Sequence, residues 1–122
     1  MGLYNFQPRF VPFIIDGRKT HTIRAKRSNP SKPGDMLHLY TGLRTKKAKL
    51  VMRVLCVKVE EISIYEDHLG VRCVKLGSDF LRSDEKEFLA QRDGFKDFND
   101  MMGFWDGRLP FVGHIIHWKF VQ

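Results

Sequence analysis

Apolar residues recur at two different spacings along this chain, and the spacing changes at turns that contain glycine or proline. After Pro8, the residues Phe10, Phe13 and Ile14 recur at helical spacing, and Gly17 is placed to end this first predicted helix. Elsewhere apolar and polar residues alternate or form short apolar runs, which is typical of strands. The predicted strands are 3–6, 20–26, 36–40, 47–64, 71–76 and 111–120.

Two further helices are predicted in the second half of the chain. Ser83 is a good N-cap for the first of them. Asp84 and Glu85 follow it in the first turn, where acidic residues favour the helix dipole, and Gly94 ends or breaks this helix. The next helix covers 97–105, and its apolar residues, at a spacing of three to four, predict that it packs in the core.

These elements predict one α+β domain that covers 1–122. The strands outnumber the helices and mostly lack helical crossovers, so a curled mixed sheet or a small barrel is favoured over a parallel sheet. Phe13 of the first helix is expected in the core. Val112, Ile116, Trp118 and Phe120 share one face of the last strand, and Ile116 and Trp118 are also expected in the core.

Positive charge is concentrated in the first half of the chain. Residues 1–58 hold 13 lysines and arginines but only two acidic residues, a net charge of +11, whereas residues 59–122 hold eight against 12, a net charge of −4. Such a distribution favours a polyanionic partner such as a nucleic acid, because neutralised phosphates release counterions. A solvated basic surface without a partner is the alternative. No apolar run is long enough for a membrane span and no secretory leader is visible, so we expect a cytoplasmic protein.

The segment 16–27 is the first candidate site. Thr22 and Arg24 lie on one side of the predicted strand, and Lys19 lies on the turn before it. A hydroxyl, an ammonium and a guanidinium in one pocket suit an anion or a nucleotide, with Thr22 as a candidate nucleophile. Arg18 and Lys26 add positive charge to the predicted binding surface. The alternative is an edge strand that lysine and arginine protect from aggregation.

A second basic segment runs from Thr41 to Lys49 and follows the aromatic Tyr40. Basic groups beside an aromatic ring suit single-stranded nucleic acid, because bases stack on the ring and phosphates pair with the cations. The binding residues predicted here are Tyr40, Arg44, Lys46, Lys47 and Lys49. An exposed polar face of a long hairpin is the alternative.

Asp93 is the acidic candidate. It lies between a predicted helix and Gly94, where a carboxylate can either point into a neighbouring cleft or simply belong to a turn. The histidines do not predict a metal site, since His114 and His117 fall on opposite faces of a strand and no cluster has the spacing of zinc ligands. We therefore predict no metal and no cofactor.

The segment Gly17-Arg-Lys-Thr-His-Thr-Ile-Arg24 and the helix before it resemble the ASCH domain of the PUA-like superfamily. The turn 33–35, the segment 90–95 and the final strand 113–120 fit in the same order, so the resemblance covers nearly the whole chain. It implies a small PUA-like β-barrel of mixed strands, decorated by about three short helices, and a cleft connected with RNA.

Small bacterial members of this family are amidohydrolases that remove the acetyl group of N4-acetylcytidine. The resemblance implies that Lys19 and Thr22 are catalytic, together with Asp93, where those enzymes carry glutamate. It makes the chain a candidate amidohydrolase with RNA or a modified nucleoside as its partner. Two alternatives share the same cleft: an RNA-binding module without catalysis, and a ribonuclease that needs no metal.

Overall fold

The computed structural model describes residues 2–121, which form seven strands, three helices and one 3-10 turn. The turn Pro8–Phe10 leads directly into the first helix. The helices are α1 (Val11–Ile15), α2 (Ser83–Arg92) and α3 (Phe98–Trp105). The strands are β1 (Gly2–Phe6), β2 (His21–Ala25), β3 (Met36–Thr41), β4 (Lys49–Glu66), β5 (Arg72–Leu76), β6 (Asp79–Phe80) and β7 (Phe111–Phe120).

All seven strands belong to one mixed sheet, so the α+β prediction is confirmed. The long strand β4 is its centre: it pairs with β3 near its start, with β5 near its end, and with β7 along the opposite edge. The sheet continues from β3 to β1 and from β7 to β2. Within residues 2–121 the pair β1–β3 is parallel and the other pairs are antiparallel.

The sheet is not closed by backbone pairing in the part of the chain that the structure describes. On one side of β4 the sheet ends at β1 and, on the branch through β5, at β6; on the other side it ends at β2, and β1 and β2 are not paired. A side chain spans this gap, since Arg24 Nη2 of β2 donates a hydrogen bond of 2.6 Å to the carbonyl oxygen of Asn5 in β1. The two edges are therefore near neighbours joined by a guanidinium group.

The centre of β7 is covered on both faces. Ile115 is buried on one face, and Ile116 and Trp118 are buried on the other. The burial of Ile116 and Trp118 confirms the predicted register. Val112 and Phe120, which alternation places on the same face as Ile116 and Trp118, are 51% and 45% exposed. Both lie near an end of the strand, beyond the layers that cover its middle, so alternation continues there without burial.

The helices differ from their predictions at particular residues. Phe13 in α1 is only half-buried, because it lies at the surface under the guanidinium group of Arg18, 4.4 Å from its ring centre. The N-cap of α2 is Arg82 rather than Ser83. Its backbone N–H donates to Glu85 Oε1 at 2.9 Å, so this side chain caps the helix without a serine.

Helix α3 packs in the core as its spacing predicts. Asp97 caps its first turn by accepting a hydrogen bond of 2.8 Å from the backbone N–H of Asp100. Met101, Met102 and Trp105 are all buried. The helix lies beside α2, and together they cover the end of the sheet at which β2 begins and β1 ends.

Candidate functional site

A cavity of about 450 Å³ lies where the end of β1, the 3-10 turn, β2, the end of α2 and α3 meet. Its volume is within the range of small-molecule sites in proteins, about 300–1,000 Å³. Lys19, Thr22, Arg24 and Asp93 all line it. The structure thus brings together the three predicted catalytic residues and one of the predicted binding residues, although Asp93 is distant from the others in the sequence.

Lys19 and Asp93 form a buried ion pair in the wall of this cavity. The ammonium group of Lys19 donates one hydrogen bond to Asp93 Oδ1 and one to the carbonyl oxygen of Asp93, each at 2.7 Å. The two residues are only 3% and 6% exposed. An ion pair this deep needs compensating hydrogen bonds, because water no longer solvates either charge.

The local sequence places both partners. Gly17, with a φ of +83°, turns the chain after α1, and the backbone N–H of Lys19 then donates to the carbonyl oxygen of Phe13 at 2.9 Å. Asp93 is the C-cap of α2. Gly94 follows with a φ of +98°, and a Cβ there would lie 2.8 Å from the ring of Phe10. Only glycine therefore lets α2 end this close to the cavity.

Burial dominates the electrostatics of the pair. Loss of water lowers the pKa of Lys19; Asp93 opposes this shift, and the charges of Arg24 and Arg9 add to it. Burial alone would raise the pKa of Asp93, but its contacts with Lys19 and His21 outweigh this effect and hold the pKa below its ordinary value. A perturbed lysine and carboxylate in one cleft are typical of a functional site.

The hydroxyl group of Thr22 is held by Arg24. Arg24 Nε donates a hydrogen bond of 2.9 Å to Thr22 Oγ1, and the guanidinium group lies 4.8 Å from the ring centre of Phe6. Burial lowers the pKa of Arg24 to about 10, and the charge of Arg27 adds to this effect. Among residues 2–121, no hydrogen bond joins Thr22 Oγ1 to the ammonium group of Lys19. The threonine hydroxyl therefore keeps its own proton available for an acceptor in the cavity.

Aromatic rings form much of the remaining wall. Phe10 and Phe95 meet edge to face with ring centres 5.5 Å apart, and Phe104 and Trp105 meet in the same way at 5.4 Å. The sequence predicts core packing for 97–105, and the last two residues of α3 serve both purposes. Flat rings of this kind suit a nucleobase, because every base has a face that can stack.

Arg108 is a cavity residue that the sequence analysis did not single out. It is exposed, and its guanidinium group lies 4.5 Å from the ring centre of Phe104 at the cavity wall. The residue follows α3 in an irregular segment, so no periodic pattern marks it.

The remaining predicted binding residues do not line this cavity. Arg18 is exposed and paired with Asp16 at 2.7 Å, and Lys26 is paired with Glu61 at 3.0 Å. These two cations are therefore already partly neutralised by carboxylates on the protein surface.

The second basic segment lies beside the mouth of the cavity. Arg44, Lys46 and Lys47 are exposed in the turn between β3 and β4, Lys49 begins β4, and Tyr40 is half-buried in β3. The turn is attached to the cavity wall through one side chain. Asn5 Oδ1 accepts a hydrogen bond of 2.9 Å from the backbone N–H of Leu43, and the carbonyl oxygen of the same asparagine accepts from Arg24.

His21 is the main residue that sequence reasoning missed. It is 3% exposed, and its Nε2 lies 3.2 Å from Asp93 Oδ1 without the alignment of a hydrogen bond. On a strand its side chain is opposite that of Thr22, which is why the pattern did not connect it with the site. Its proximity to Asp93 arises only because α2 ends against this face of β2.

Neither a metal cluster nor a membrane span is found in the part of the chain that the structure describes. No three or more histidine, cysteine or acidic side chains are grouped so as to hold a metal ion within residues 2–121. None of the helices in this range is both long and apolar enough to cross a bilayer.

Comparison of the chain with protein-family models, with curated proteins and with solved structures finds no match. The cavity and the residues that line it therefore carry the functional information.

Proposed function

We propose that this chain is an ASCH-type domain of the PUA-like superfamily that binds an N4-acylated cytidine in the cavity and hydrolyses its amide. The observation that carries the proposal is the convergence of Lys19, Thr22 and Asp93 on one cavity with aromatic walls. The resemblance of the segment 17–24 to ASCH amidohydrolases supports Lys19 and Thr22, and Asp93 falls where those enzymes carry glutamate.

The sheet supports this fold assignment through the contact between its end strands β1 and β2. Closing this sheet into a small barrel would bring β1 and β2 side by side, and the hydrogen bond from Arg24 to Asn5 spans them. We interpret the sheet as a small barrel in which one seam is joined by a side chain rather than by a backbone ladder.

In the proposed reaction, Thr22 Oγ1 attacks the carbonyl carbon of the amide, and its proton passes to neutral Lys19. Burial favours the neutral lysine that this step needs. Arg24 already donates a hydrogen bond to Thr22 Oγ1, so it stabilises the negative charge on this oxygen as its proton leaves for Lys19. Asp93 orients the amine of Lys19 through the hydrogen bond to its carboxylate.

The tetrahedral intermediate then collapses. The bond between the acyl carbon and N4 breaks, Lys19 returns the proton to N4, and cytidine leaves while the acyl group stays on Thr22. Water attacks this ester, giving its proton to Lys19, and the carboxylic acid departs as the Thr22 hydroxyl is restored. The base is held meanwhile by stacking on the aromatic wall.

A second candidate is RNA binding without catalysis. It is favoured by the exposed cations of the turn between β3 and β4, which Asn5 holds at the cavity mouth. A free nucleoside has no phosphate with which these cations could pair, so this basic turn favours a polymer.

The experiment incubates the protein with N4-acetylcytidine and, separately, with labelled RNA, and measures acetate, RNA cleavage and RNA retention. We expect acetate from the wild type and from Thr22→Ser, and none from Thr22→Val, which keeps the shape of the side chain but lacks the hydroxyl. Thr20→Val is the matched control, because Thr20 lies outside the cavity lining.

Acetate release by Thr22→Val, or none from the wild type, would contradict the hydrolase. RNA retention without acetate would then support the binding module, and cleaved RNA would support the ribonuclease.

A further inference from the structure

A chain of ionisable side chains leads from the buried ion pair through the sheet. His21 Nε2 lies 3.2 Å from Asp93 Oδ1. The rings of His21 and His117 face each other across β2 and β7, where the two residues are register partners, with ring centres 5.6 Å apart and edge to face. His117 Nε2 in turn lies 3.2 Å from Glu60 Oε1. These contacts connect the cavity with a partly exposed carboxylate.

The two histidines line a groove that is separate from the cavity. The groove has a volume of about 670 Å³ and lies between α2 and the strands β2, β5 and β7, with His21 and His117 in its wall. His21 thus contacts the buried carboxylate and also borders the groove, while Lys19 and Asp93 line the cavity. The imidazole ring of His21 therefore lies between the ion pair and the groove.

The charges that surround the histidines come from three directions. Lys19 and Asp93 lie on the cavity side, Glu60 and Lys58 approach from β4, and α2 contributes the groove residues Asp84, Glu85 and Arg92. Burial lowers the pKa of His117, as does the neighbouring His21, whereas Glu60 opposes the shift. The neighbouring His21 thus disfavours a second proton on His117.

We propose that His21 is a positioning residue for Asp93 and exchanges protons between the buried Lys19–Asp93 pair and the groove, and that the adjacent ring of His117 influences this exchange. The inference does not depend on the proposed reaction, because the path serves any chemistry that needs a neutral Lys19. A substrate that fills the cavity covers Lys19, so a proton needs a route on the other side of the sheet.

Each step of the path moves one proton. Lys19 gives a proton to Asp93 Oδ1, and Asp93 passes it to Nε2 of His21, which accepts it in the tautomer whose own proton is on Nδ1. His21 releases the Nδ1 proton to water in the groove, and the water carries it away. The net change is the loss of one proton from Lys19 and a change of tautomer in His21, and proton uptake follows the same steps in reverse.

The test is an NMR titration of the whole protein without any ligand. It follows the side-chain carboxyl carbon of Asp93, and it measures how fast the ammonium protons of Lys19 exchange with water. We expect the Asp93 signal to show an inflection at the titration of a histidine, and the exchange rate to change at the same pH. His21→Gln should lose both effects, since glutamine keeps polarity at this position but cannot take up a proton.

His114→Gln is the matched control, because His114 lies on the same strand as His117 but outside the groove lining. It should leave both effects unchanged. His117 is half-buried and tolerates substitution better, and His117→Gln should shift the pH of the inflection. This second variant tests the proposal if His21→Gln does not fold.

The proposal is overturned if the wild type shows no histidine-linked inflection at Asp93. It is also overturned if His21→Gln keeps the inflection or the fast exchange, or if His117→Gln leaves the inflection in place. None of these results depends on N4-acetylcytidine, so the proposed function stands or fails separately.

Discussion

Removing the charge of Asp93 tests whether Lys19 is a buried ammonium that needs a partner. In Asp93→Asn an oxygen still faces Lys19, but the ion pair is lost at a site where both partners are less than a tenth exposed. Leaving a buried charge without its partner typically costs about 3–5 kcal/mol. We expect the variant to lose stability within this range at pH 7.

The loss of stability in Asp93→Asn has an upper limit, because Lys19 can give up its proton instead of remaining charged. An ordinary lysine has a pKa of about 10.4, so neutralising it at pH 7 costs about 4.6 kcal/mol. If the variant follows this route, its folded state lacks a proton that the unfolded state keeps, and its stability rises with pH. The cost relative to the wild type should therefore shrink by about 1.4 kcal/mol per pH unit.

This pH window lies between the pKa of Lys19 in the variant and its higher pKa in the wild type, where Asp93 favours the charged form. Below the window both folded proteins hold the proton, and the cost is constant. The sign follows from the direction of the shift, because a lowered lysine pKa removes stability at low pH and restores it as pH rises toward the unfolded value.

The assay is urea unfolding of wild type and variant at pH 7, 8 and 9. Asp16→Asn is the matched control, because it removes the carboxylate of the exposed pair with Arg18 and should not change the free energy of unfolding measurably. A cost below about 1 kcal/mol at pH 7 would refute the buried ion pair. A large cost that stays constant from pH 7 to 9 would refute the neutralisation of Lys19.

Two further predictions concern the core and the basic turn. Trp118→Ala should cost about 3–5 kcal/mol in urea unfolding, because the ring is 3% exposed, and a loss below about 1 kcal/mol would contradict its burial. Replacing Lys46, Lys47 and Lys49 together by alanine should weaken RNA retention for all sequences alike and flatten its salt dependence by about one unit per lost phosphate contact. An unchanged salt dependence would place the RNA surface elsewhere.

Local patterns determined most of the fold. Alternation and helical spacing predicted six of the seven strands and all three helices, and the two-residue strand β6 escaped because two residues carry no period. Alternation placed Val112 and Phe120 on the same face of β7 as the buried Ile116 and Trp118, but both are exposed. Alternation shows which side chains share a face, whereas burial depends on the layer that lies over that face.

The sequence by itself also marked Lys19, Thr22 and Arg24, because they are close together on one turn and strand. Their meeting with Asp93, 74 residues away from Lys19, was decided by the packing of α2 against β2. The same packing brought His21 to the other side of that carboxylate, although its place in the strand pattern is opposite Thr22. Distant contacts of this kind depend on how helices are placed on a sheet, and no local spacing encodes that placement.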